Sequence, residues 1–277
     1  MPYKRILTVQ DISCFGQCSG TVALPVLSAC GLETCIIPSA VLSTHTGGFK
    51  NYTFRDLTED IPAIESHWKE LGITFDAIYV GYLGNHEQID DVKEMFSSLL
   101  VPGGKIIVDP AMGDNGVLYS GFDSTHVEEM KKLCYDAHAL LHNITEACLL
   151  TDTPYREIHD EAFVKELVEK LGVFGAKNIV LTGVCPSHEE TGVAIMSEGE
   201  LTFYMHHRIN KVFMGTGDVY SAVVAGAWVR GRDFKWSAQL AADFTLKCID
   251  KTFSDPDHWY GVKFERALPY LIHKLNP

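Results

Sequence analysis

The sequence predicts an α/β protein with a doubly wound, mostly parallel central sheet flanked by helices and a small hairpin at the sheet edge. Short apolar runs that favour strands alternate with longer segments of helical periodicity along the 277 residues. Several of the short runs are almost continuously apolar, which is typical of strands buried on both faces of a parallel sheet. No Pro-, Gly- or Ser-rich linker interrupts the chain, so residues 1–277 are predicted to form a single domain.

The strand predictions rest on apolar runs bounded by turn residues. The predicted strands are 5–9, 34–38, 77–80, 105–108, 137–141 and 178–181. Two alternating runs at 192–197 and 201–206, separated by Glu-Gly-Glu, predict the edge hairpin.

Helical periodicity fills the segments between the strands and the last third of the chain. The predicted helices are 20–30, 60–71, 87–99, 123–135, 161–171, 219–229, 236–250 and 264–274. Extended residues near 10–20 and 39–53 predict a small flap. Ligands of doubly wound sheets bind where strands reach their carboxyl ends, so we expect functional residues in the segments that follow the strands.

Composition and charge exclude some classes of partner. The formal net charge of −13 argues against a nucleic-acid partner, which needs a basic surface. Backbone N–H groups and a divalent metal can still bind a phosphate. The longest apolar stretch, around 222–229, is far below the ~18 residues of a membrane span, so no membrane partner and a cytoplasmic location are expected. The eight cysteines form no C-x-x-C pair, which favours reduced, mostly buried thiols.

The segment Gly-Thr-Gly-Asp at 215–218 precedes an apolar helical run. If a helix begins near Thr216, its first N–H groups lack intrahelical partners and form an anion hole. Asp218 would then lie within the first turn, where it could accept a proton from a hydroxyl group. The alternative is that Asp218 only caps a helix beside a glycine turn. The motif by itself leaves both interpretations open.

Polar residues follow three further predicted strands. Asp109 and Asp114 come after the strand 105–108 and suggest Mg²⁺ or its shell of waters, although the motif by itself favours a plain Asp-Pro turn. Asn143 and Glu146 have the spacing of a capping box, and Glu146 could instead organise metal-bound water. Thr182 and Gly183 follow the strand 178–181, where the hydroxyl group of Thr182 could meet a phosphate.

Three more candidates lie in polar loops. His45 and Thr46 occur between a predicted strand and a predicted helix, where a single histidine has no special meaning by itself. Tyr82 follows the strand 77–80, where its ring can cover a flat ligand or simply pack.

The order and spacing of these motifs resemble the ribokinase-like superfamily. Within it, His-Thr-Gly at 45–47, Gly-Tyr-Leu-Gly at 81–84 and Asp-Pro-Ala-Met-Gly-Asp at 109–114 are similar to the pyridoxal (pyridoxine, pyridoxamine) kinases. The resemblance extends from about residue 5 to the last helix. It implies a ribokinase-like fold and ATP-dependent phosphorylation of the 5′-hydroxymethyl group of a vitamin B6 vitamer, a salvage reaction. It also implies Mg²⁺, a small-molecule substrate, and a homodimer; K⁺ assists many of these enzymes.

The resemblance also implies roles for individual residues. Asp218 would be the catalytic base, and the amides of Gly215, Thr216 and Gly217 would form the anion hole. The residues implied to line the ring pocket are Asp11, Cys18, His45, Thr46 and Tyr82. The residues implied to serve Mg²⁺ and the nucleotide are Asp109, Asp114, Asn143, Glu146, Thr182 and Gly183, with Tyr119 in the lid segment over ATP.

The chain departs from the family pattern at two places. Asp11 stands where these kinases have a serine, and an aspartate accepts a hydrogen bond from a protonated ring nitrogen or an amino group. Leu141-His142 replaces the usual Thr-Pro before Asn143, which leaves the K⁺ requirement open. A hydroxymethylpyrimidine kinase of thiamine synthesis therefore stays an alternative. The short N-terminal half disfavours a sugar or nucleoside kinase. The intact Asp218 disfavours a non-catalytic nucleotide-binding protein.

Overall fold

The computed structural model describes residues 3–209 and 211–276. Its strands in chain order are β1 (Arg5–Phe15), β2 (Glu33–Thr44), β3 (Phe54–Asp56), β4 (Phe75–Val80), β5 (Leu100–Val108), β6 (Gly113–Asp114), β7 (Val117–Leu118), β8 (Ala139–Asn143), β9 (Asn178–Val184), β10 (Glu190–Ser197) and β11 (Glu200–His207). Its α-helices are α1 (Gly20–Ala29), α2 (Ile61–Glu70), α3 (Glu87–Ser98), α4 (Ser124–Cys134), α5 (Ile144–Leu150), α6 (Glu161–Leu171), α7 (Thr216–Arg230), α8 (Phe234–Thr252) and α9 (Leu268–Leu275).

The chain divides into two compact units. The first unit combines residues 1–105 with 211–277, and the second contains residues 106–210. The strand order is β5–β4–β1–β2–β3 in the first unit and β11–β10–β9–β8–β5 in the second. Strand β5 is counted in both units because the division falls inside it. Whether these units make up one domain, as the sequence predicts, stays a prediction.

In the first unit, β1 is a central strand that pairs in parallel with β2 and β4. The side chains of Ile6, Leu7 and Val9 in β1 are fully buried, as its continuous apolar pattern predicts. Helix α7 packs against α1 and α8. The short strand β3 pairs antiparallel with β2.

In the second unit, β5, β8 and β9 run parallel, and β10 and β11 form an antiparallel hairpin on β9. A separate two-stranded hairpin joins β6 to β7. The prediction of a mostly parallel central sheet flanked by helices, with an added hairpin, is therefore confirmed.

Most predicted elements are confirmed with shifted ends. Strands β1 and β2 run past their predicted ends, because residues 12–15 pair with residues 41–44 after an irregularity between Gln10 and Ile12. These paired residues are part of the segments predicted as a flap. The prediction of one helix over 264–274 was wrong: a 3₁₀ turn at Phe264–Arg266 precedes α9, and Pro269 lies in its first turn. Strand β3, rather than a helix, follows His45 and Thr46.

All eight cysteines are free thiols, as predicted, and Cys30, Cys134, Cys148 and Cys248 are buried. Within residues 3–209 and 211–276, no helix combines the length and apolar character needed to cross a bilayer.

Candidate active site

The N-terminus of α7 is built on a close approach of two backbone segments. Gly215 is the residue before the helix and has a left-handed backbone, with φ 72°. A Cβ atom at this position would lie 2.0 Å from the carbonyl oxygen of Gln17. Only glycine fits this position, and it has no side chain with which to cap the first N–H groups of the helix. The helix begins at Thr216, as the anion-hole interpretation requires and three residues before the predicted start at Val219, and Asp218 is inside the first turn rather than at the cap.

Asp218 carries a strongly perturbed carboxyl group. Burial of the group, with a smaller contribution from the charge of nearby Asp11, raises the pKa of Asp218 to about 7. The N–H groups of Ser19 and of Asp218 itself oppose this effect by donating to the carboxylate. A carboxyl group with a pKa near neutrality can both accept and release a proton at physiological pH, which is the property required of a general base.

Ser19 connects Asp218 to Asp11. It precedes α1 with φ 49° and ψ −128°, a backbone conformation that a non-glycine residue rarely adopts. In this conformation its N–H group donates to Asp218, and its hydroxyl group interacts with the carboxylate of Asp11. The sequence analysis did not single out Ser19, because no sequence pattern indicates a left-handed serine.

Asp11 is only 5% exposed, and its position coincides with the pairing irregularity between Gln10 and Ile12. The hydroxyl group of Ser13 donates to its Oδ2 atom at 3.1 Å. Burial raises the pKa of Asp11, while the hydroxyl groups of Ser19 and Ser13 counteract the shift. Asp11 is thus a buried acid held by two serine hydroxyl groups.

His45 is also 5% exposed and has both ring nitrogens engaged. Its Nδ1 atom accepts a hydrogen bond from the Gly47 N–H at 3.1 Å, so the proton is on Nε2, which donates to the Tyr260 carbonyl at 2.9 Å. Burial lowers the pKa of His45 and favours the neutral ring. The ring also packs edge-on against Phe49, with ring centroids 4.9 Å apart.

Two further predicted ring-pocket residues adjoin Asp11. Burial raises the pKa of the Cys18 thiol and raises the pKa of Tyr82 to about 12, and the charge of Asp11 contributes to both shifts. Both side chains are therefore neutral at physiological pH. Thr46 is exposed on the loop after β2. The structure thus brings Asp11, Cys18, His45 and Tyr82 together with Asp218 in the first unit.

The second unit contains a separate polar cluster at the start of α5. The Oδ1 atom of Asn143 accepts from the Glu146 N–H at 2.9 Å, and the Oε2 atom of Glu146 accepts from the Asn143 N–H at 2.8 Å. This is the capping box that the sequence predicts. The side-chain amide of Asn143 also donates to the Gly113 carbonyl, and Glu146 also accepts from the Met112 N–H. These two hydrogen bonds hold the start of β6 and the residue before it.

Glu146 is 3% exposed and has acidic neighbours. Burial raises its pKa well above the ordinary value, and the charges of Asp109 and Asp114 raise it further. A cation would relieve this repulsion, and carboxylate oxygens suit Mg²⁺. Each Glu146 oxygen already accepts one N–H group, which leaves lone pairs for a metal ion or for the waters bound to it. In the described part of the chain, no group of three His, Cys, Asp or Glu side chains could hold a metal ion directly.

The β6–β7 hairpin has an Asn-Gly turn, with φ 51° at Asn115 and φ 79° at Gly116. The Gly116 N–H donates to the hydroxyl oxygen of Thr145 at 2.9 Å, and the ring of Tyr155 packs against Gly116. Thr145 and Tyr155 are neighbours that the sequence analysis missed. Tyr119 follows the hairpin and is 39% exposed.

At the end of β9, Gly183 forms a bulge with φ 72°. Thr182 pairs with Val193 and Val184 pairs with Gly192, so Gly183 has no pairing partner on β10. The hydroxyl group of Thr182 donates to the His142 carbonyl at 3.5 Å. The prediction that Thr182 and Gly183 are at a strand end is therefore confirmed.

Leu141 stands where the family pattern has threonine, and His142 stands where it has proline. His142 is 2% exposed, and neither ring nitrogen has a hydrogen-bond partner among the described residues. Burial lowers the pKa of His142 to about 3, so the ring is neutral. Leu141 and His142 supply a buried alkyl side chain and a buried ring, and neither supplies a hydroxyl oxygen for a cation.

Comparisons with known proteins identify similar chains. The sequence model of the phosphomethylpyrimidine kinase family matches residues 24–261. A pyridoxal kinase of Arabidopsis thaliana is 27% identical over 267 residues, which cover 91% of this chain and 83% of that protein.

Two solved structures resemble the whole chain. One is a candidate phosphomethylpyrimidine kinase of Bacteroides thetaiotaomicron, crystallised with pyridoxal. It is 34% identical with a TM-score of 0.91, and the match covers 98% of this chain and 96% of the other. The other is pyridoxal kinase from Lactobacillus plantarum, which is 29% identical with a TM-score of 0.90 and coverages of 98% and 97%. The ribokinase-like fold predicted from the motifs is confirmed.

Proposed function

The chain belongs to the phosphomethylpyrimidine kinase family, and we propose that it is a kinase for vitamin B6 vitamers. It transfers the γ-phosphoryl group of ATP to the 5′-hydroxymethyl group of pyridoxal, pyridoxamine or pyridoxine, as a salvage reaction. The similarity to the pyridoxal kinases of Arabidopsis thaliana and Lactobacillus plantarum supports this substrate class. The observation that carries the proposal is Asp218, a carboxyl group with a pKa of about 7 in the first turn of α7.

The first cluster, which contains Asp11, Cys18, His45, Tyr82 and Asp218, binds and activates the hydroxymethyl group that accepts the phosphoryl group. The ionised carboxylate of Asp218 takes the proton of the hydroxymethyl group as the oxygen forms its bond to phosphorus and the bond to the β-phosphate oxygen breaks. The N–H groups of Gly215, Thr216 and Gly217 face the negative charge that develops on the transferring group. Because glycine at 215 leaves these amides uncapped, the helix N-terminus is open to an anion.

The second cluster serves the nucleotide and its metal. Mg²⁺, when bound, neutralises charge on the phosphates. Asp109 and Asp114 would hold it, with Glu146 fixing its waters. The residues proposed for the nucleotide are Asp114, Tyr119, Asn143, Thr182 and Gly183. The repulsion that Asp109 and Asp114 exert on the buried Glu146 supports this assignment, since a cation would lower the energy of the cluster.

The ring pocket uses mostly neutral side chains around one acid. The proposed lining residues are Asp11, Cys18, His45, Thr46 and Tyr82. Neutral His45, Cys18 and Tyr82 suit a flat heteroaromatic ring, whereas Asp11 offers an acceptor for a donor group on that ring. We also propose that the chain works as a single domain, in a homodimer, in the cytoplasm; a role for K⁺ finds no support at His142.

The alternative function is hydroxymethylpyrimidine kinase, which the family match and the acid at position 11 favour. A panel of the three B6 vitamers, hydroxymethylpyrimidine, ribose and adenosine, assayed with Mg-ATP, separates these possibilities. Phosphorylation of a vitamer with the highest kcat/KM supports the proposal, and preference for hydroxymethylpyrimidine overturns it.

The proposed base is tested by Asp218→Asn. The variant cannot accept the proton, so kcat should fall by on the order of 10²-fold or more. ATP binding, measured by calorimetry, should persist because the nucleotide residues are unchanged. Asp233→Asn is the matched control, since Asp233 is the exposed cap of α8 and asparagine caps equally well. A kcat near the wild-type value in Asp218→Asn would refute the assignment of the base.

A further inference from the structure

Asp11 is a buried acid to which phosphoryl transfer assigns no step. The titratable groups that face it are Asp218, Cys18, His45 and Tyr82. Burial keeps Cys18 and Tyr82 neutral, and the hydrogen bonds of His45 place a single proton on its ring. None of these groups provides a positive charge to compensate Asp11, so its partner is expected to come from the ligand.

The contacts of Asp11 keep it a hydrogen-bond acceptor. The Ser13 hydroxyl donates to Oδ2 at 3.1 Å, and the Ser19 hydroxyl supplies a second interaction. Two donors favour the ionised carboxylate, which has about four lone-pair sites. Capacity is therefore left for a donor group on a bound ligand.

The connection through Ser19 indicates which part of the ligand Asp11 meets. The N–H group of Ser19 contacts Asp218 and its hydroxyl group contacts Asp11, so one residue separates the two acids. If Asp218 faces the reacting hydroxymethyl group, Asp11 is close enough to meet the substituent on the neighbouring ring carbon. In the B6 vitamers this substituent is an aldehyde, a hydroxymethyl group or an aminomethyl group.

We propose that Asp11 is a specificity residue that selects an acceptor carrying a primary amino group on the ring carbon beside the reacting hydroxymethyl group. This inference rests on the proposed function, and among the vitamers it singles out pyridoxamine. The ammonium group of pyridoxamine supplies both the charge and the donors that Asp11 lacks. The hydroxyl group of pyridoxine offers one neutral donor, and the aldehyde of pyridoxal offers only an acceptor, which a carboxylate repels.

The test compares kcat/KM for pyridoxamine and pyridoxine in the wild type and in Asp11→Asn. We expect the wild type to favour pyridoxamine by about tenfold or more, and the ratio to fall by about tenfold in the variant, as for loss of a charge-assisted hydrogen bond. Asp11→Ser, which is smaller and neutral, should give the same fall and serves if Asp11→Asn folds poorly. Asp90→Asn removes an exposed charge on α3 and should leave the ratio unchanged.

The outcomes separate the inference from the function on which it rests. If the wild type phosphorylates no vitamer, the proposed function fails. If pyridoxine and pyridoxamine are both phosphorylated but the ratio is the same in wild type, Asp11→Asn and Asp11→Ser, the inference alone is overturned. Preference for hydroxymethylpyrimidine, whose amino group also adjoins the hydroxymethyl group, would support amino-group selection and overturn the B6 assignment.

A binding measurement adds a readout that does not depend on turnover. Pyridoxamine is titrated calorimetrically into Asp218→Asn and into the double variant Asp11→Asn/Asp218→Asn. We expect the dissociation constant to rise by about tenfold in the double variant, whereas that of pyridoxine stays within about threefold. Equal weakening of both ligands would overturn the inference.

Discussion

At the scale of single residues, burial determines the chemistry of the first cluster. Asp218 and Asp11 are both raised in pKa by burial, whereas His45 is lowered by the same cause. The motif predicted Asp218 and the glycine turn, because a left-handed position before a helix favours glycine. The link through Ser19 could not be predicted, because it depends on the tertiary approach of two segments about 200 residues apart.

The pKa of Asp218 predicts the acid limb of the pH–rate profile. Below pH 7 the protonated carboxyl group cannot accept a proton, so kcat/KM should rise about tenfold per pH unit and level off above pH 7. Asp11 raises the pKa of Asp218, so Asp11→Asn should move this limb to lower pH. The comparison uses pyridoxine for both proteins, so that ionisation of the substrate cancels. A limb at the same pH in both would show that the two acids do not interact.

Gly215 predicts a pair of contrasting alanine substitutions. In Gly215→Ala the new Cβ atom meets the Gln17 carbonyl and the backbone has φ 72°, so the free energy of unfolding should fall by about 2 kcal/mol or more. In Gly217→Ala the new Cβ atom meets nothing within 4 Å, and stability should change by less than about 1 kcal/mol. Urea unfolding measures both. Equal losses would contradict the close approach at Gly215.

At the scale of elements, helix α5 organises the second cluster. Its capping box was predictable because Asn143 and Glu146 have the required spacing, whereas β3, β6 and β7 have two or three residues each and leave no periodic signal. The Asn-Gly pair at 115–116 is a recognisable hairpin signal that the sequence analysis did not use. Pro269 likewise indicates the start of α9, because proline favours the first turn of a helix.

Glu146→Gln tests whether α5 does more than cap its own first turn. Removing one charge from a cluster of three acids should weaken attraction for a divalent cation, so the Mg²⁺ concentration for half-maximal activity should rise by about tenfold. Glu161→Gln, at the start of α6, is the exposed control and should have no effect. An unchanged Mg²⁺ requirement in Glu146→Gln would leave Glu146 as a capping residue only.

Strand β8 predicts a pH dependence of stability through His142. The pKa of its ring is about 3 in the folded chain, against about 6.5 when unfolded. As the pH falls, the unfolded state therefore takes up the proton first. The free energy of unfolding should decrease by about 1.4 kcal/mol per pH unit between pH 6.5 and pH 3. When the pH is lowered from 7.5 to 5.5, the free energy of unfolding measured in urea should fall less in His142→Leu than in the wild type. His67→Leu, which removes an exposed histidine, should behave like the wild type; equal slopes in all three would refute the effect.

At the scale of the whole molecule, the sequence predicted the fold class but not the division into two units. The division appears only once distant segments are paired, because residues 211–277 join residues 1–105 across an intervening unit. If the chain is one cooperative domain, both units should unfold together.

The four tryptophans make this testable, since Trp68, Trp228, Trp236 and Trp259 all belong to the first unit. Tryptophan fluorescence follows only the first unit, whereas far-ultraviolet circular dichroism follows both. We expect the two urea transitions to coincide. A second transition seen by circular dichroism alone would contradict a single domain.

The link between Asp11 and Asp218 has a consequence for protein synthesis. Asp11 leaves the ribosome before Asp218, which follows roughly 10–40 s later at about 5–20 residues per second. The Tyr260 carbonyl that holds His45 emerges later still. A nascent chain therefore carries the acid at position 11 long before its neighbours exist. If Asp218 is the base, as we propose, chains that terminate before residue 218 cannot transfer a phosphoryl group from ATP.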